Sequence, residues 1–189
     1  MRAAVFYATR EGQARHVAEH VAASLRAHGF ETDVIDVRRL YGRVDWAAYQ
    51  TALVVASVHV GHHEREMRRF VERYRDELHN IPAAFLSLTL SQAGAQDPGA
   101  PREKRDLAHA DAVKMIDVFA AETGWLPARS LAVAGALAYT KYGFLTKLIM
   151  KRIARKAGAS TDTSRDHEFT DWQAVDDFVL QHVGLARAS

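Results

Sequence analysis

The chain has 189 residues, a formal net charge of +2, 48% hydrophobic residues and 25% charged residues. This composition is typical of a globular protein, and the length predicts one domain spanning residues 1–189. Because there is no cysteine, disulfides, thiolate metal sites, cysteine nucleophiles and cysteine-ligated iron–sulfur clusters are excluded, and redox chemistry would need a bound cofactor. No apolar run reaches about 18 residues and no signal-peptide pattern opens the chain, so we expect a cytoplasmic protein.

A strand, a polar turn and a helix are predicted at the start of the chain. Residues 2–7 (RAAVFY) form an apolar run typical of a buried strand, and residues 13–28 show a helical pattern. The turn between them, TREGQ at 9–13, leads into a helix N-terminus, which favours an anion because its first N–H groups lack partners within the helix. The turn lacks the glycine–lysine spacing of a P-loop and the three glycines of a dinucleotide fingerprint. It resembles the FMN phosphate loop of flavodoxins, although an ordinary polar turn with a helix cap is the alternative.

Strand and helix patterns alternate along the rest of the chain. In order, they predict a strand at 31–37, a strand at 51–57, a helix at 63–79, a strand at 83–89, a helix at 102–123, a strand at 130–137 and a helix at 171–183. Asp171 is the predicted N-cap of the last helix. This alternation favours a parallel sheet with right-handed crossovers. We therefore predict an α/β fold, a flavodoxin-like doubly wound five-stranded parallel sheet, with a loop at 90–101 and an insert at about 138–164.

Three loops are expected to meet at the carboxyl ends of the strands, where ligands bind in such sheets. The second loop, SVHVGHH at 57–63, contains Gly61, which allows close backbone approach, and His59, which could lie beside a flavin ring. The first loop has Glu11 and Ala14 where the flavodoxin pattern has threonine, so two phosphate-binding hydroxyls are missing. The residues predicted to bind the cofactor are Thr9, Arg10, Glu11, Gly12, Gln13, Ala14, Ser57, Val58, His59, Gly61, Ser87, Leu88 and Thr89.

The histidines of the second loop allow two other interpretations. A metal site is disfavoured, because the adjacent His62 and His63 point in different directions and no nearby carboxylate has clear ligand spacing. We therefore predict no metal. The remaining alternative is that these histidines are simply exposed to solvent.

A basic, amphipathic helix is predicted within the insert, at residues 143–156. No acidic residue occurs between Glu122 and Asp162, while the span contains seven lysines and arginines. A basic amphipathic helix with aromatic residues nearby suits an anionic membrane surface. A scaffold helix with solvated charges is the alternative, and nucleic-acid binding is disfavoured because interleaved aromatic residues are absent.

Several segments together resemble one particular family. They are YATREGQ (7–13), VVASVHVGHH (54–63), FLSLTL (85–90), AGALAYTKYGF (134–144), KLIMKRI (147–153), TDT (161–163) and FTDW (169–172). In these segments the chain resembles the quinone-dependent protoporphyrinogen oxidases, bacterial FMN enzymes of haem synthesis in the flavodoxin superfamily. The resemblance implies that FMN oxidises protoporphyrinogen IX in three two-electron steps and passes the electrons to a membrane quinone, menaquinone or ubiquinone. It implies no particular acid–base residue.

The insert supplies two further hypotheses under this resemblance. Tyr139, Lys141, Tyr142 and Lys147 would border the porphyrinogen, and Lys141 or Lys147 would contact one of its propionates. Lys151, Arg152, Arg155 and Lys156 would contact the membrane, which makes the protein peripheral on the cytoplasmic face of the cell membrane. We predict no nucleic-acid partner and leave a homo-oligomer open. The alternatives are a flavodoxin-like NAD(P)H:quinone reductase and a non-enzymatic membrane-surface module; an electron-carrier flavodoxin is disfavoured because such carriers are usually acidic.

Overall fold

In the computed structural model, residues 1–137 and 167–188 are described. The strands are β1 (Arg2–Ala8), β2 (Glu31–Asp36), β3 (Thr51–His59), β4 (His62–His63), β5 (Ala83–Thr89), β6 (Arg129–Ala134), β7 (Ala136–Leu137) and β8 (His167–Glu168). The helices are α1 (Gln13–Ala27), α2 (Arg65–Arg73), α3 (Arg75–Asn80), α4 (Leu90–Ala95), α5 (Arg102–Thr123) and α6 (Trp172–Ala188), with short 3-10 helices at Val37–Arg39 and Trp46–Ala48.

Five of these strands form the predicted parallel sheet, in the spatial order β2, β1, β3, β5, β6. β1 is paired on both sides, with Val5 opposite Val34 of β2 and opposite Leu53 of β3. The order reverses direction at β1 and β3, as in the doubly wound flavodoxin-like topology, and the ligand site of such a sheet lies at that switch point. β4 adds a short antiparallel sixth strand to the end of β3.

Helices cover both faces of the sheet, which explains why its strands read as nearly continuous apolar runs. On one face, Val5 and neighbouring strand residues pack against α1 and α6, including Leu25 and Phe178. On the other face, Phe6 and Phe85 pack against α2, α3 and α5. The two apolar layers hold the carboxyl ends of β1, β3 and β5 beside one another, and this sets the geometry of the loops that follow them.

The predicted elements are confirmed with four changes. The helix expected at 63–79 is divided into α2 and α3 at Tyr74, whose backbone leaves the helical region (φ −113°, ψ 24°). The loop expected at 90–101 begins with the short helix α4, which is capped by Thr89 and buries Ala93 and Gly94 against the rest of the protein. The strand expected at 130–137 is interrupted at Gly135, and β7 turns away to pair with β8. The last helix extends to Ala188.

The predicted N-cap of the last helix is confirmed. The side chain of Asp171 accepts a hydrogen bond of 3.0 Å from the backbone N–H of Ala174, which satisfies one of the first-turn donors. Within the two described ranges, no helix combines the length and the apolar character needed to cross a membrane. The insert at about 138–164 lies outside the described residues.

Candidate functional site

The loops after β1, β3 and β5 border an open cleft at the carboxyl edge of the sheet, whose empty space of about 440 Å³ includes part of the surrounding solvent. Eight of the residues predicted to bind a cofactor line it: Thr9, Glu11, Gln13, Ser57, Val58, His59, Leu88 and Thr89. Leu90 and Gly135 also line the cleft and were missed. Leu90 follows the predicted end of β5 at Thr89, so the same strand-end reasoning would have found it. Gly135 follows the end of β6 at Ala134 but lies inside the strand predicted at 130–137, so that reasoning could not have found it.

The first loop forms a tight turn that ends at the start of α1. The side-chain oxygen of Thr9 accepts a hydrogen bond of 2.8 Å from the N–H of Gly12. Gly12 is the N-cap of α1 and has φ +105°, a conformation that favours glycine. No acidic residue lies in the first turn of α1, so the helix N-terminus favours an anion, although Glu11, which lines the cleft just before it, adds an acidic side chain.

Two residues of the first loop serve the scaffold as well. The side-chain amide of Gln13 donates to the hydroxyl of Thr170 at 2.9 Å, and that hydroxyl donates to the carbonyl of Ala134 at 3.1 Å. These bonds tie the start of α1 to the end of β6 and to the segment before α6. The side chain of Ala14 is fully buried in the apolar cluster with Val17 and does not line the cleft.

The second loop is a β-hairpin joining β3 to β4. His59 pairs with His62 across a two-residue turn made by Val60 and Gly61, whose φ values are +51° and +80°. Positive φ at both central residues is the geometry of a type I′ turn. Val60 is 94% exposed, and a β-branched residue in this conformation is strained. Gly61 does not line the cleft, so its predicted part in cofactor binding is confined to shaping the hairpin.

The three histidines of the second loop have three separate partners. His59 Nε2 lies 3.1 Å from Glu64 Oε1, and His62 Nδ1 lies 2.7 Å from Glu122 Oε1. His63 Nε2 lies 2.8 Å from the hydroxyl of Ser87. The interpretation of all three as exposed loop histidines is wrong, because His63 is only 2% exposed. In the part of the chain that the structure describes, no three His, Asp or Glu side chains are grouped as metal ligands would be.

Burial determines the protonation of His63. Its ring packs edge-on against Phe85 and Phe119, with centroid distances of 5.2 and 4.8 Å. Burial, reinforced by the positive charge of Arg68, lowers the pKa of His63 to about 3. The ring is therefore neutral at neutral pH.

The third loop begins under the hairpin. Ser87 is fully buried and faces His63, so it does not line the cleft as predicted. The side chain of Thr89 caps α4 by accepting from the N–H of Ser91 at 3.2 Å, and its carbonyl accepts from the N–H of Gly135 at 3.1 Å. Leu88, Thr89 and Leu90 thus form a fixed, largely apolar wall of the cleft.

A buried carboxylate that the sequence did not reveal lies between the first two loops. Glu64 follows β4, and its side chain has no exposed surface. Its Oε2 accepts a hydrogen bond of 2.9 Å from Nε of Arg10, and its Oε1 faces His59. Arg10 therefore points to Glu64 and does not line the cleft.

Comparison with known proteins identifies the family. The model of the flavodoxin domain matches residues 4–164. The chain belongs to the flavodoxin domain family. The fold of this flavodoxin-family chain is also similar to a flavodoxin of Streptococcus pneumoniae, with a TM-score of 0.55, 14% identity and coverage of 98% of this chain and 99% of that one. A short-chain flavodoxin associated with a bacterial microcompartment gives a TM-score of 0.58 at 14% identity, covering 98% and 99%.

Two curated relatives are similar to this flavodoxin-family chain over nearly its whole length. Protoporphyrinogen IX dehydrogenase [quinone] of Escherichia coli is 29% identical over 181 residues, which cover 96% of this chain and 94% of the relative. The protein of the same name from Leishmania major is 26% identical over 185 residues, covering 97% of this chain and 75% of the relative. The resemblance inferred from the sequence motifs is confirmed.

The predicted substrate and membrane residues are not among those described. Tyr139, Lys141, Tyr142, Lys147, Lys151, Arg152, Arg155 and Lys156 all lie between residues 138 and 166, outside the described ranges. Their roles stay predictions.

Proposed function

We propose that this protein binds FMN in the cleft and uses it to oxidise protoporphyrinogen IX to protoporphyrin IX, with electrons passed to a membrane quinone, menaquinone or ubiquinone. One observation carries the proposal. It is the similarity to proteins named protoporphyrinogen IX dehydrogenase [quinone], which extends over 96% of the chain. The cleft agrees with it, because it lies where a doubly wound sheet binds its ligand.

The described residues fit the phosphate end of FMN. The N-terminus of α1 attracts an anion, and the positive φ of Gly12 turns the backbone into the helix without a side chain in the way. The Thr9 hydroxyl accepts from Gly12 and keeps its own proton as a donor, because a hydroxyl can donate and accept together. Thr9, Gly12 and the N–H groups that open α1 would hold the phosphate, with no hydroxyl from position 14.

The same cleft fits a flat, largely apolar ring. The cleft is open to solvent on one side, and valine and leucine side chains form much of its lining. Val58 and His59 from the second loop and Leu88 and Leu90 from the third contribute to its walls. These side chains would orient the isoalloxazine and exclude water from it.

The protein binds and orients, and the cofactor supplies the redox chemistry. Bound FMN would take up a hydride equivalent in each two-electron dehydrogenation of protoporphyrinogen IX and would then be reoxidised by quinone. The residues that would hold the substrate carboxylates are Lys141 and Lys147, with Tyr139 and Tyr142 beside the macrocycle. Lys151, Arg152, Arg155 and Lys156 would place the protein on an anionic membrane, near its quinone.

Spectroscopy of the purified protein tests this proposal in two steps. We expect the visible absorption bands of oxidised flavin, and we expect them to bleach when protoporphyrinogen IX is added anaerobically and to return when a quinone follows. Bleaching by NADPH with no response to protoporphyrinogen IX would support a nicotinamide-dependent quinone reductase. A colourless protein that takes up no FMN would support a non-enzymatic membrane-surface module.

A further inference from the structure

Glu64 joins two parts of the cleft that are far apart in sequence. Arg10 lies in the first loop, 54 residues before Glu64, and His59 lies at the end of β3. Both side chains contact the carboxylate, at 2.9 Å for Arg10 Nε to Oε2 and 3.1 Å for His59 Nε2 to Oε1. The Glu64 side chain is completely buried, although Arg10 and His59 are 59% and 26% exposed.

The backbone fixes the position of this carboxylate. The N–H of Glu64 donates to the carbonyl of Ser57 at 3.2 Å, and its own carbonyl accepts from the N–H of Arg68 at 3.0 Å. The first bond closes the base of the hairpin that carries His59. The second starts α2. Glu64 is therefore anchored at the junction of hairpin and helix, and its side chain extends from that junction to the first loop.

The charge of Glu64 requires these partners. Burial raises the pKa of this carboxyl, but the interactions with His59 and Arg10 outweigh burial, so the pKa lies below its ordinary value. The side chain is then ionised at neutral pH, and a buried ion without partners is strongly unfavourable. Removing the charge weakens both contacts together, because Arg10 and His59 each contact an oxygen of the same carboxylate, although an amide at this position could still accept from one of them.

The neighbours of Arg10 and His59 along the chain line the cleft. Thr9 and Glu11 flank Arg10, Val58 precedes His59, and His59 itself forms part of the wall. In the proposed FMN complex the first loop holds the phosphate and the hairpin borders the ring. Fixing the two loops to each other before a ligand arrives lowers the ordering cost that binding would otherwise carry.

We propose that Glu64 is a positioning residue of the cofactor cleft, which holds the phosphate-side loop and the ring-side hairpin in one arrangement through Arg10 and His59. This rests on the proposed binding of FMN. It predicts that the two ends of FMN are recognised cooperatively through Glu64. It also predicts that Arg10 acts mainly by its bond to Glu64.

The first test compares Glu64→Gln with Glu66→Gln. Glu66 lies two residues further on, is exposed in the first turn of α2, and provides a matched loss of one carboxylate. Affinities for FMN and riboflavin are measured from the quenching of flavin fluorescence. We expect Glu64→Gln to weaken FMN by about tenfold, the effect of losing one charged hydrogen bond, with a smaller loss for riboflavin, and Glu66→Gln to bind like the native protein.

A double-mutant cycle tests the coupling itself. Arg10→Met and His59→Phe are made singly and together, in the native background and in Glu64→Gln. We expect their effects on FMN affinity to be non-additive in the native background and additive without the carboxylate. Additive effects in both backgrounds, or an unchanged or tighter FMN affinity in Glu64→Gln, would overturn the role of Glu64.

Amide hydrogen exchange gives a readout that needs no cofactor. We expect Glu64→Gln to exchange faster in both loops, 9–13 and 57–63, with the core of β1 unchanged, because the loops lose their common partner. Faster exchange confined to the hairpin would contradict the role for the first loop, and faster exchange throughout the sheet would indicate a general folding defect instead. If the native protein binds no FMN, the proposed function and the role of Glu64 both fail. If the native protein and Glu64→Gln bind FMN equally well, only the role of Glu64 fails.

Discussion

The buried histidine beneath the hairpin predicts a specific loss of stability in acid. His63 is 2% exposed, and its pKa is lowered to about 3 by burial and by Arg68. In the unfolded chain the ring has its ordinary pKa of about 6.5. The unfolded state therefore binds this proton more readily, so the contribution of His63 to stability is complete above about pH 6.5 and is lost as the pH falls toward 3.

The magnitude follows from the two pKa values. Between pH 7.5 and pH 5, the difference in proton binding amounts to a loss of about 2 kcal/mol in the free energy of unfolding. His182 adds a parallel loss, since burial, followed by the charge of Arg129, lowers its pKa to about 4. The contribution of His63 is isolated by comparing the native protein with His63→Gln, which retains a hydrogen-bonding group opposite Ser87.

Urea unfolding at pH 7.5 and pH 5 measures both proteins. We expect the native protein to lose about 2 kcal/mol more than His63→Gln over this range. His109→Gln is the matched control, because His109 is exposed on α5 and is not among the groups that shift the pKa of His63, so its replacement should leave the native pH dependence in place. The same pH dependence in native protein and His63→Gln would refute the reasoning, since the ring would then titrate alike in both states.

Three further predictions concern backbone geometry. Gly12→Ala places a side chain at φ +105°; we expect FMN affinity measured by fluorescence quenching to fall by about five- to a hundredfold, from strain of about 1–3 kcal/mol in the phosphate loop, and native affinity would contradict it. Val60→Asn relieves a β-branched residue at φ +51° and should raise the free energy of unfolding by about 1 kcal/mol, which a lower melting temperature would disprove. Asp171→Ala removes the cap of α6 and should cost about 1 kcal/mol in urea unfolding, whereas Asp177→Ala, later in the same helix, serves as the control.

The alternation of apolar strands and helices was sufficient to predict the sheet and the edge where its loops meet. Buried strands such as β1 produce nearly continuous apolar runs, and their parallel order then follows from the helices between them. The hairpin was not predicted, because Val60 with Gly61 is a poor match to the Asn-Gly signal of a type I′ turn. The break at Tyr74 has no glycine or proline to mark it.

The side of the sheet that a residue faces was harder to predict. Ser87 lies in a strand that is buried on both faces. Its neighbours Leu86 and Leu88 are both apolar, so the sequence does not show whether Ser87 faces the packed helices or the cleft. Its partner, His63, is 24 residues away. The contact between Arg10 and Glu64 spans 54 residues, and no local periodicity records such a pair. Local patterns therefore predicted the loops of the cleft, while the contacts between those loops required the folded chain.

Protoporphyrin formation under anaerobic conditions, with a quinone as the sole acceptor, is the most direct test of the proposed function. Purified protein loaded with FMN is mixed with protoporphyrinogen IX and menaquinone or ubiquinone, and porphyrin fluorescence is followed over time. We expect porphyrin to form only when protein, FMN and quinone are all present, with the quinone reduced in parallel. Loaded protein that leaves protoporphyrinogen IX unoxidised while NADPH reduces its flavin would contradict the proposed function.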